Sequence, residues 1–216
     1  GGPGGNPMTT PENRRRMLLA QEAARLMVEE GIKEFGAAKR KASRHLGGGS
    51  GTRDLPTNRE IQDEVELRMR MYRDTPGNRA ALRRLREAAL DAMDFFREFR
   101  PRLVGSVLAG TATEHSDINL HLFADTPEDV EIYLHDAGIP FERFSHRQEV
   151  ANRVEELPAI ALVVDGVRVA ATIFPPEGIR QAPRSSVTGK PVERAKPAQV
   201  EALLAGDEAD SLAADS

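Results

Sequence analysis

The chain has 216 residues, of which 39% are hydrophobic and 30% are charged, and its formal net charge is −4. This length accommodates one domain with an appendage or two small domains. The absence of cysteine excludes a disulfide framework, a thiolate metal site and a cysteine nucleophile. The net charge excludes a global basic field for nucleic acid, and no run of about 18 apolar residues predicts a membrane span. We therefore expect a cytoplasmic, bacterial-type protein with no membrane partner.

The composition changes along the chain and predicts four parts. Residues 1–7 (GGPGGNP) are typical of a remnant of recombinant expression, so Met8 is the expected natural start. The remaining parts are a helical region (8–100), a mixed α/β unit (101–178), and a basic C-terminal segment with an acidic tail (179–216). We therefore expect an α+β fold in which a helical N-terminal region precedes a small mixed sheet.

The helical region begins with apolar residues at three- and four-residue steps between Pro11 and Leu46, as on one face of a helix. Gly31 weakens the middle of this stretch, so the sequence is compatible with one long helix or with two shorter helices. Its basic residues form either a solvated face or a contact for the phosphate backbone of RNA. A Gly-rich loop follows at 47–52.

Two further helices are predicted before residue 100. Thr57, with Glu60 three residues later, forms a capping box that opens a helix to about Tyr72. A turn cluster ends it, and a stronger apolar periodicity predicts the next helix over Asn78–Phe99.

The α/β unit shows the patterns of strands. Asp165-Gly166 between two apolar runs is a strong hairpin signal. Thr126, followed by a proline and two acids, opens a helix that ends at Gly138. The predicted strands are Leu103–Ala109, Asp117–Phe123, a short one at Ile139–Phe144, Ile160–Val164 and Val167–Phe174.

The C-terminal segment is polar and basic. A Ser/Thr/Gly-containing loop between Arg184 and Lys190 is either a solvated segment or an accessory clamp for a triphosphate or an RNA backbone. A short helix is predicted over Pro197–Ala205, and the acidic residues after it are predicted to be disordered.

The residues that could bind a ligand or take part in a reaction lie at Gly105-Ser106 and shortly after it. The glycine interrupts an apolar run at a point where a backbone can approach a phosphate closely. About ten residues later, Asp117, Asn119 and His121 alternate with apolar residues, so a strand there would place all three on one face.

This pattern resembles the nucleotidyltransferase superfamily that includes the beta-type DNA polymerases and the minimal nucleotidyltransferases. The family pattern is a hydrophobic residue, Gly-Ser, a spacer, and Asp-x-Asp on a strand. Gly105, Ser106 and Asp117 match it, whereas Asn119 stands where a second aspartate is expected. The resemblance implies that residues 101–178 form the family's palm, a small mixed sheet with helices on one face.

The resemblance also implies an activity, which is transfer of a nucleoside monophosphate from an NTP to a hydroxyl of RNA, a protein or a small molecule. Gly105 and Ser106 would bind the nucleotide. Asp117 would hold catalytic Mg²⁺, and Asn119 would be a weakened ligand or a hydrogen-bond donor. The family's third acid should lie on Val167–Phe174, which contains none.

Two interpretations therefore remain open. In the first, the protein is an active transferase that combines Asp117 with Glu114 or a distant acid such as Glu149 or Asp165. In the second, the fold persists without catalysis as a pseudoenzyme that binds a nucleotide, RNA or a partner protein. His121 is either an accessory ligand or general base, or a histidine paired with an acid at the sheet edge.

Overall fold

The computed structural model describes residues 10–48, 55–73, 75–185 and 189–214. These residues form an α+β fold with a helical N-terminal region, which confirms the fold class expected from the sequence. The chain divides into two compact units, one ending at Thr75 and the other beginning at Pro76. None of the helices in the described ranges has both the length and the apolar composition needed to span a membrane. The predicted remnant before Met8 and most of the Gly-rich loop lie outside the described residues.

The described part of the first unit consists of α1 (Pro11–Glu29), α2 (Phe35–His45) and α3 (Asn58–Arg73). Of the two open alternatives, two shorter helices are found in place of one long helix. The break falls at Gly31, which has a φ of 72°, a left-handed conformation that glycine adopts without a Cβ clash. The three helices bury an apolar core of their own, which includes Leu19, Leu26 and Ile61.

The predicted capping box at the start of α3 is confirmed. The backbone N–H of Glu60 donates to the hydroxyl of Thr57 at 3.1 Å, which satisfies a donor that has no partner within the helix. The carboxylate of Glu60 also accepts hydrogen bonds from the guanidinium of Arg16 on α1. The cap therefore also connects two helices of the first unit.

The second unit begins with α4 (Pro76–Phe95), which is followed by a 3₁₀ turn at Arg97–Phe99. The apolar face of α4, including Leu85 and Met93, is buried in the same core as the sheet. The division between the two compact units therefore falls at Thr75 and Pro76, within the predicted helical region. The physical reason is that α4 uses its apolar face to cover the sheet, which a helical pattern alone does not reveal.

The sheet of the second unit has five strands, β1 (Arg102–Val104), β2 (Ile118–Phe123), β3 (Glu142–Val150), β4 (Arg153–Val164) and β5 (Val167–Phe174). Their order is β1-β2-β5-β4-β3. β2 and β5 are parallel, and the other neighbours are antiparallel. α5 (Ser106–Ala109) lies between β1 and β2 in the chain, and α6 (Pro127–Asp136) lies between β2 and β3.

The first predicted strand, Leu103–Ala109, is corrected. β1 ends at Val104, and the residues from Ser106 onward form α5. Gly105 causes the change because it has a φ of 80° and a ψ of −156°, a conformation that is essentially restricted to glycine. The second predicted strand is confirmed except that Asp117 lies immediately before it.

The hairpin of β3 and β4 is longer than the sequence predicted. β3 occupies Glu142–Val150 in place of Ile139–Phe144, and β4 begins at Arg153, earlier than predicted. The outer part of this hairpin is rich in charged residues, so it lacks the apolar pattern of a strand. The tight turn at Asp165-Gly166 between β4 and β5 is confirmed by the antiparallel pairing of those strands.

The two faces of the sheet differ in character. Ile118, Leu120 and Leu122 of β2 point into the core with α4 and α6. Because successive side chains of a strand alternate between faces, the intervening residues belong to the opposite side, which we call the outer face. It includes Asn119 and His121 of β2, Arg168, Ala170 and Thr172 of β5, and Phe144 and His146 of β3.

The chain after β5 returns to the β1 edge of the sheet. Ala195 forms an isolated bridge with Leu103 of β1, and α7 (Pro197–Ala214) then packs against α4. The prediction of a short helix followed by a disordered acidic tail is wrong, because the acids continue the helix. Asp207 and Glu208 form ion pairs with arginines of α4, which balance charges that the local sequence leaves isolated.

Candidate functional site

The Gly-Ser turn, Gly105–Ser106, lies directly beside Asn119. β1 and β2 pair with Val104 opposite Asn119, so the turn emerges next to the start of β2. A Cβ placed on Gly105 would lie 3.1 Å from Nδ2 of Asn119. The absence of a side chain therefore permits the close approach, and Gly105 remains exposed. The structure therefore places the Gly-Ser turn and the start of β2 side by side.

Asp117, the expected metal ligand, forms an ion pair with Arg168. Nη1 of the arginine donates to Oδ2 of the aspartate at 2.7 Å. The parallel pairing of β2 and β5, with Asn119 opposite Ala170, brings the two groups together. The Asp117 side chain is 16% exposed and the Arg168 side chain is 47% exposed. A cation therefore occupies the strand on which the family pattern requires a third acid.

The donor set around Asp117 does not fit a Mg²⁺ site. Such an ion prefers several carboxylate oxygens, and this site offers one carboxylate, already paired, beside the amide of Asn119. Among the described residues, no group of three or more histidine, aspartate or glutamate side chains is placed to hold a metal. The remaining outer-face residues of β5 are Ala170 and Thr172, so the strand supplies no substitute acid.

The acids considered as substitutes lie elsewhere. Glu114 is exposed beside His115, with 3.6 Å between its Oε1 and Nε2 of the histidine. Asp165 approaches Asp91 of α4, and the hydrogen bond and repulsion between these carboxyl groups raise the pKa of Asp91. Glu149 lies near the far end of β3, where it pairs with Val154. In the part of the chain that the structure describes, they form no metal-holding group of three or more acids or histidines with Asp117.

His121 is a buried histidine that is paired with an arginine, not with an acid. Arg194 donates from Nε to Nδ1 of His121 at 3.0 Å, and from Nη1 to the carbonyl oxygen of Gly178 at 2.8 Å. Burial, together with the positive charges of Arg194 and His146, lowers the pKa of His121 to about 3. The imidazole is therefore neutral at physiological pH, with its proton on Nε2.

The surroundings of Arg194 form the covered end of the outer face. Its guanidinium lies over the rings of Phe123 and Phe174, at 5.0 and 4.9 Å from their centroids. Burial, and repulsion from Arg102, lower the pKa of Arg194 to about 10. These contacts hold the C-terminal segment against β2. His121 therefore belongs to a buried structural contact, next to the exposed residues of the site.

The structure separates Arg184 and Lys190 from Asp117. Arg184 bridges to Glu149, which pairs with Val154 at the start of β4, whereas Arg168 pairs with Val163 near its end. Nine residues of an extended strand span about 30 Å. In the described structure, the segment that carries the two basic residues therefore does not lie beside Asp117. Part of their loop lies outside the described residues.

Sequence reasoning missed two residues of the site. Arg168 is not among the predicted site residues, because its proximity to Asp117 depends on a parallel pairing between distant segments. Arg194 is not among them either, because the sequence around it shows only a polar, basic segment. The available signal for Arg168 was its position two residues after the Asp165-Gly166 turn, on the strand where a third acid was expected.

No protein-family model matches this chain, and a comparison with curated proteins finds no relative of it either.

Proposed function

We propose that the second unit binds a nucleoside triphosphate on the outer face of its sheet and has lost metal-assisted nucleotidyl transfer. The observation that carries the proposal is the ion pair between Arg168 and Asp117. In the family pattern, the strand that corresponds to β5 supplies a carboxylate that helps to hold the metal ions. Here it supplies a guanidinium, which can bind a phosphate directly.

The Gly-Ser turn supports the binding of a phosphate group. Gly105 is exposed, and its backbone adopts a conformation that other residues strongly disfavour. A glycine at this position therefore leaves the exposed backbone of the turn open to a ligand, next to the side-chain amide of Asn119.

The exposed part of Arg168 supports a second contact with the ligand. The Arg168 side chain is 47% exposed in its ion pair, and ion pairs that solvent reaches contribute only about 0–1 kcal/mol to stability. The guanidinium can therefore exchange one carboxylate oxygen for phosphate oxygens at a small free-energy cost. Under this proposal Asp117 competes with the ligand for Arg168 and is not required for binding.

Titration calorimetry with ATP, with and without Mg²⁺, tests the proposal on the whole protein. We expect binding without Mg²⁺, weaker binding by Arg168→Ala, and unchanged or tighter binding by Asp117→Asn. Arg143→Ala is a matched control, because this arginine lies on β3 of the same sheet but pairs with Glu131 of α6, so its loss should not affect binding. An absence of ATP binding to the wild type, under both conditions, would refute the proposal.

A second candidate function is retained nucleotidyl transfer, and it is favoured by the presence of Asp117 beside the turn. A Mg²⁺-bound nucleotide would have to displace Arg168 from the carboxylate. In that case ATP binding depends on Mg²⁺ and is lost in Asp117→Asn, the opposite of the first expectation. Incubation with labelled NTPs and total RNA or protein, followed by detection of labelled product, then identifies the acceptor.

A further inference from the structure

Arg86 of α4 connects the Gly-Ser turn with the C-terminal helix. Its side chain is buried. Nε donates to the carbonyl oxygen of Val107 at 3.0 Å, and Nη2 donates to that of Leu108 at 3.1 Å. Both carbonyls belong to α5, which begins directly after Gly105. On its other side, Nη1 donates to the carboxylate of Asp207 on α7 at 3.1 Å.

The end of α5 is also shaped around this guanidinium. Gly110 follows the helix with a φ of 84°, and a Cβ placed on it would lie 3.5 Å from Nη2 of Arg86. The strand before the turn is held by the C-terminal segment as well. The backbone groups of Leu103 and Ala195 exchange two hydrogen bonds, at 2.8 and 2.9 Å. The C-terminal segment therefore holds the turn from both sides.

We propose that Arg86 is a positioning residue that fixes the Gly-Ser turn, and that Asp207 holds it in place. A buried guanidinium needs both hydrogen-bond acceptors and a nearby negative charge, because burial of an unpaired charge is unfavourable. Asp207 supplies the charge, and the α5 carbonyls supply the acceptors. Loss of the carboxylate therefore releases the guanidinium from α5 and increases the mobility of residues 105–110. The consequence for ligand binding rests on the proposed function, whereas the consequence for the mobility does not.

The neighbouring ion pair provides a matched control. Arg83 and Glu208 also connect α4 with α7, one position further along α7, but no contact of Arg83 in the described structure reaches α5. Asp207→Ala and Glu208→Ala each remove one partly exposed carboxylate from the same helix. Any general effect of weakening the contact between these helices is therefore common to both variants.

Hydrogen exchange of the backbone amides in residues 105–111, followed by mass spectrometry, measures the mobility of the turn without a ligand. We expect exchange to be faster by about tenfold in Asp207→Ala and unchanged in Glu208→Ala. Equal exchange in the two variants, whether fast or slow, would overturn the proposal. Arg86→Lys provides a second variant, because a single ammonium cannot donate to three separated acceptors, and it should reproduce the fast exchange.

ATP titration on the same variants tests the functional consequence. We expect Asp207→Ala to weaken binding by about tenfold while Glu208→Ala binds like the wild type. If the wild type binds no ATP, the proposed function fails while the exchange result still decides the role of Arg86. If ATP binds equally well to both variants while their exchange differs, the role of Arg86 in ligand binding is refuted.

Discussion

The Nε–H of Arg194 points at Nδ1 of His121 across 3.0 Å. This donor requires a lone pair on Nδ1, so the interaction exists only while the imidazole is neutral. Burial is the main cause of the low pKa of about 3 of His121, and the charges of Arg194 and His146 lower it further. A buried neutral histidine is consequently part of the contact between the C-terminal segment and β2.

This contact predicts a loss of stability in mild acid. The pKa of His121 is near 6.5 in the unfolded chain and about 3 in the folded protein. The unfolded state therefore binds more protons between these values. The stabilisation is fully present above about pH 6.5 and falls as the pH decreases toward 3. For this group we expect a loss of about 2 kcal/mol between pH 7 and pH 5, measured by urea unfolding at each pH.

Comparison of two variants isolates the contribution of His121 from those of the carboxylates. His121→Asn keeps an acceptor for Arg194 but cannot be protonated, so its unfolding free energy should depend less on pH. His115→Gln removes an exposed histidine next to Glu114 and serves as the comparison variant, and the change in pH dependence should be larger in His121→Asn. A wild-type slope in His121→Asn would show that this imidazole does not titrate as we infer.

The conformation of Gly105 predicts a large effect of a single methyl group. Gly105→Ala introduces a Cβ at a φ of 80°, 3.1 Å from Nδ2 of Asn119. We expect destabilisation by roughly 1–3 kcal/mol, with displacement of the turn. Gly138→Ala is the matched control, because its φ is 70° and nothing lies within 4 Å of the added Cβ. Thermal unfolding should show a smaller loss for the control.

Substitution of Asn119 separates two causes of the expected destabilisation, which are the positive φ at residue 105 and the contact of the added Cβ with Asn119. In the double variant Gly105→Ala/Asn119→Ala the close contact is removed while the unfavourable φ remains. The double variant should therefore unfold at a higher temperature than expected from the sum of its two single variants. Simple additivity would indicate that the backbone conformation, and not the contact with Asn119, accounts for the effect.

The parts of the fold that the sequence predicted are those with local causes. The capping box at Thr57, the Asp165-Gly166 turn and the alternation in β2 each depend on a few neighbouring residues. Two features that the sequence did not reveal depend on distant partners. The acidic residues of α7 are helical because arginines of α4 neutralise them, and α4 belongs to the second unit because it covers the sheet.

The same distinction applies to the candidate site. The position of Asn119 on a strand after the Gly-Ser turn followed from local alternation, and the structure places Asn119 on β2 beside Gly105. The pairing of Arg168 with Asp117 requires knowledge that β5 lies parallel to β2, although 51 residues separate the two side chains in the sequence. A single sequence provides no local pattern for such a pairing.

The cap of α3 predicts a measurable contribution to the first unit. Thr57→Ala removes the acceptor for the backbone N–H of Glu60 and should destabilise this unit by about 1 kcal/mol. Thr57→Ser retains the hydroxyl and is the conservative control. Hydrogen exchange of the first amides of α3 should increase in the alanine variant alone. Similar exchange in both variants would mean that the ion pair of Glu60 with Arg16 suffices to hold the helix start.

The position of Phe144 beside Arg168 indicates how the outer face would contact a nucleotide base. The guanidinium of Arg168 lies 5.7 Å from the centroid of this ring, and Phe144 is 37% exposed. A base that follows a phosphate bound at Arg168 therefore meets an aromatic surface, and such stacking contributes about 1–3 kcal/mol without base preference. We expect Phe144→Ala to weaken ATP and GTP binding by similar factors in calorimetry, and Phe144→Tyr to restore both. Val154→Ala, an exposed position at the far end of β4, is the control. Unchanged nucleotide affinity in Phe144→Ala would place the base elsewhere.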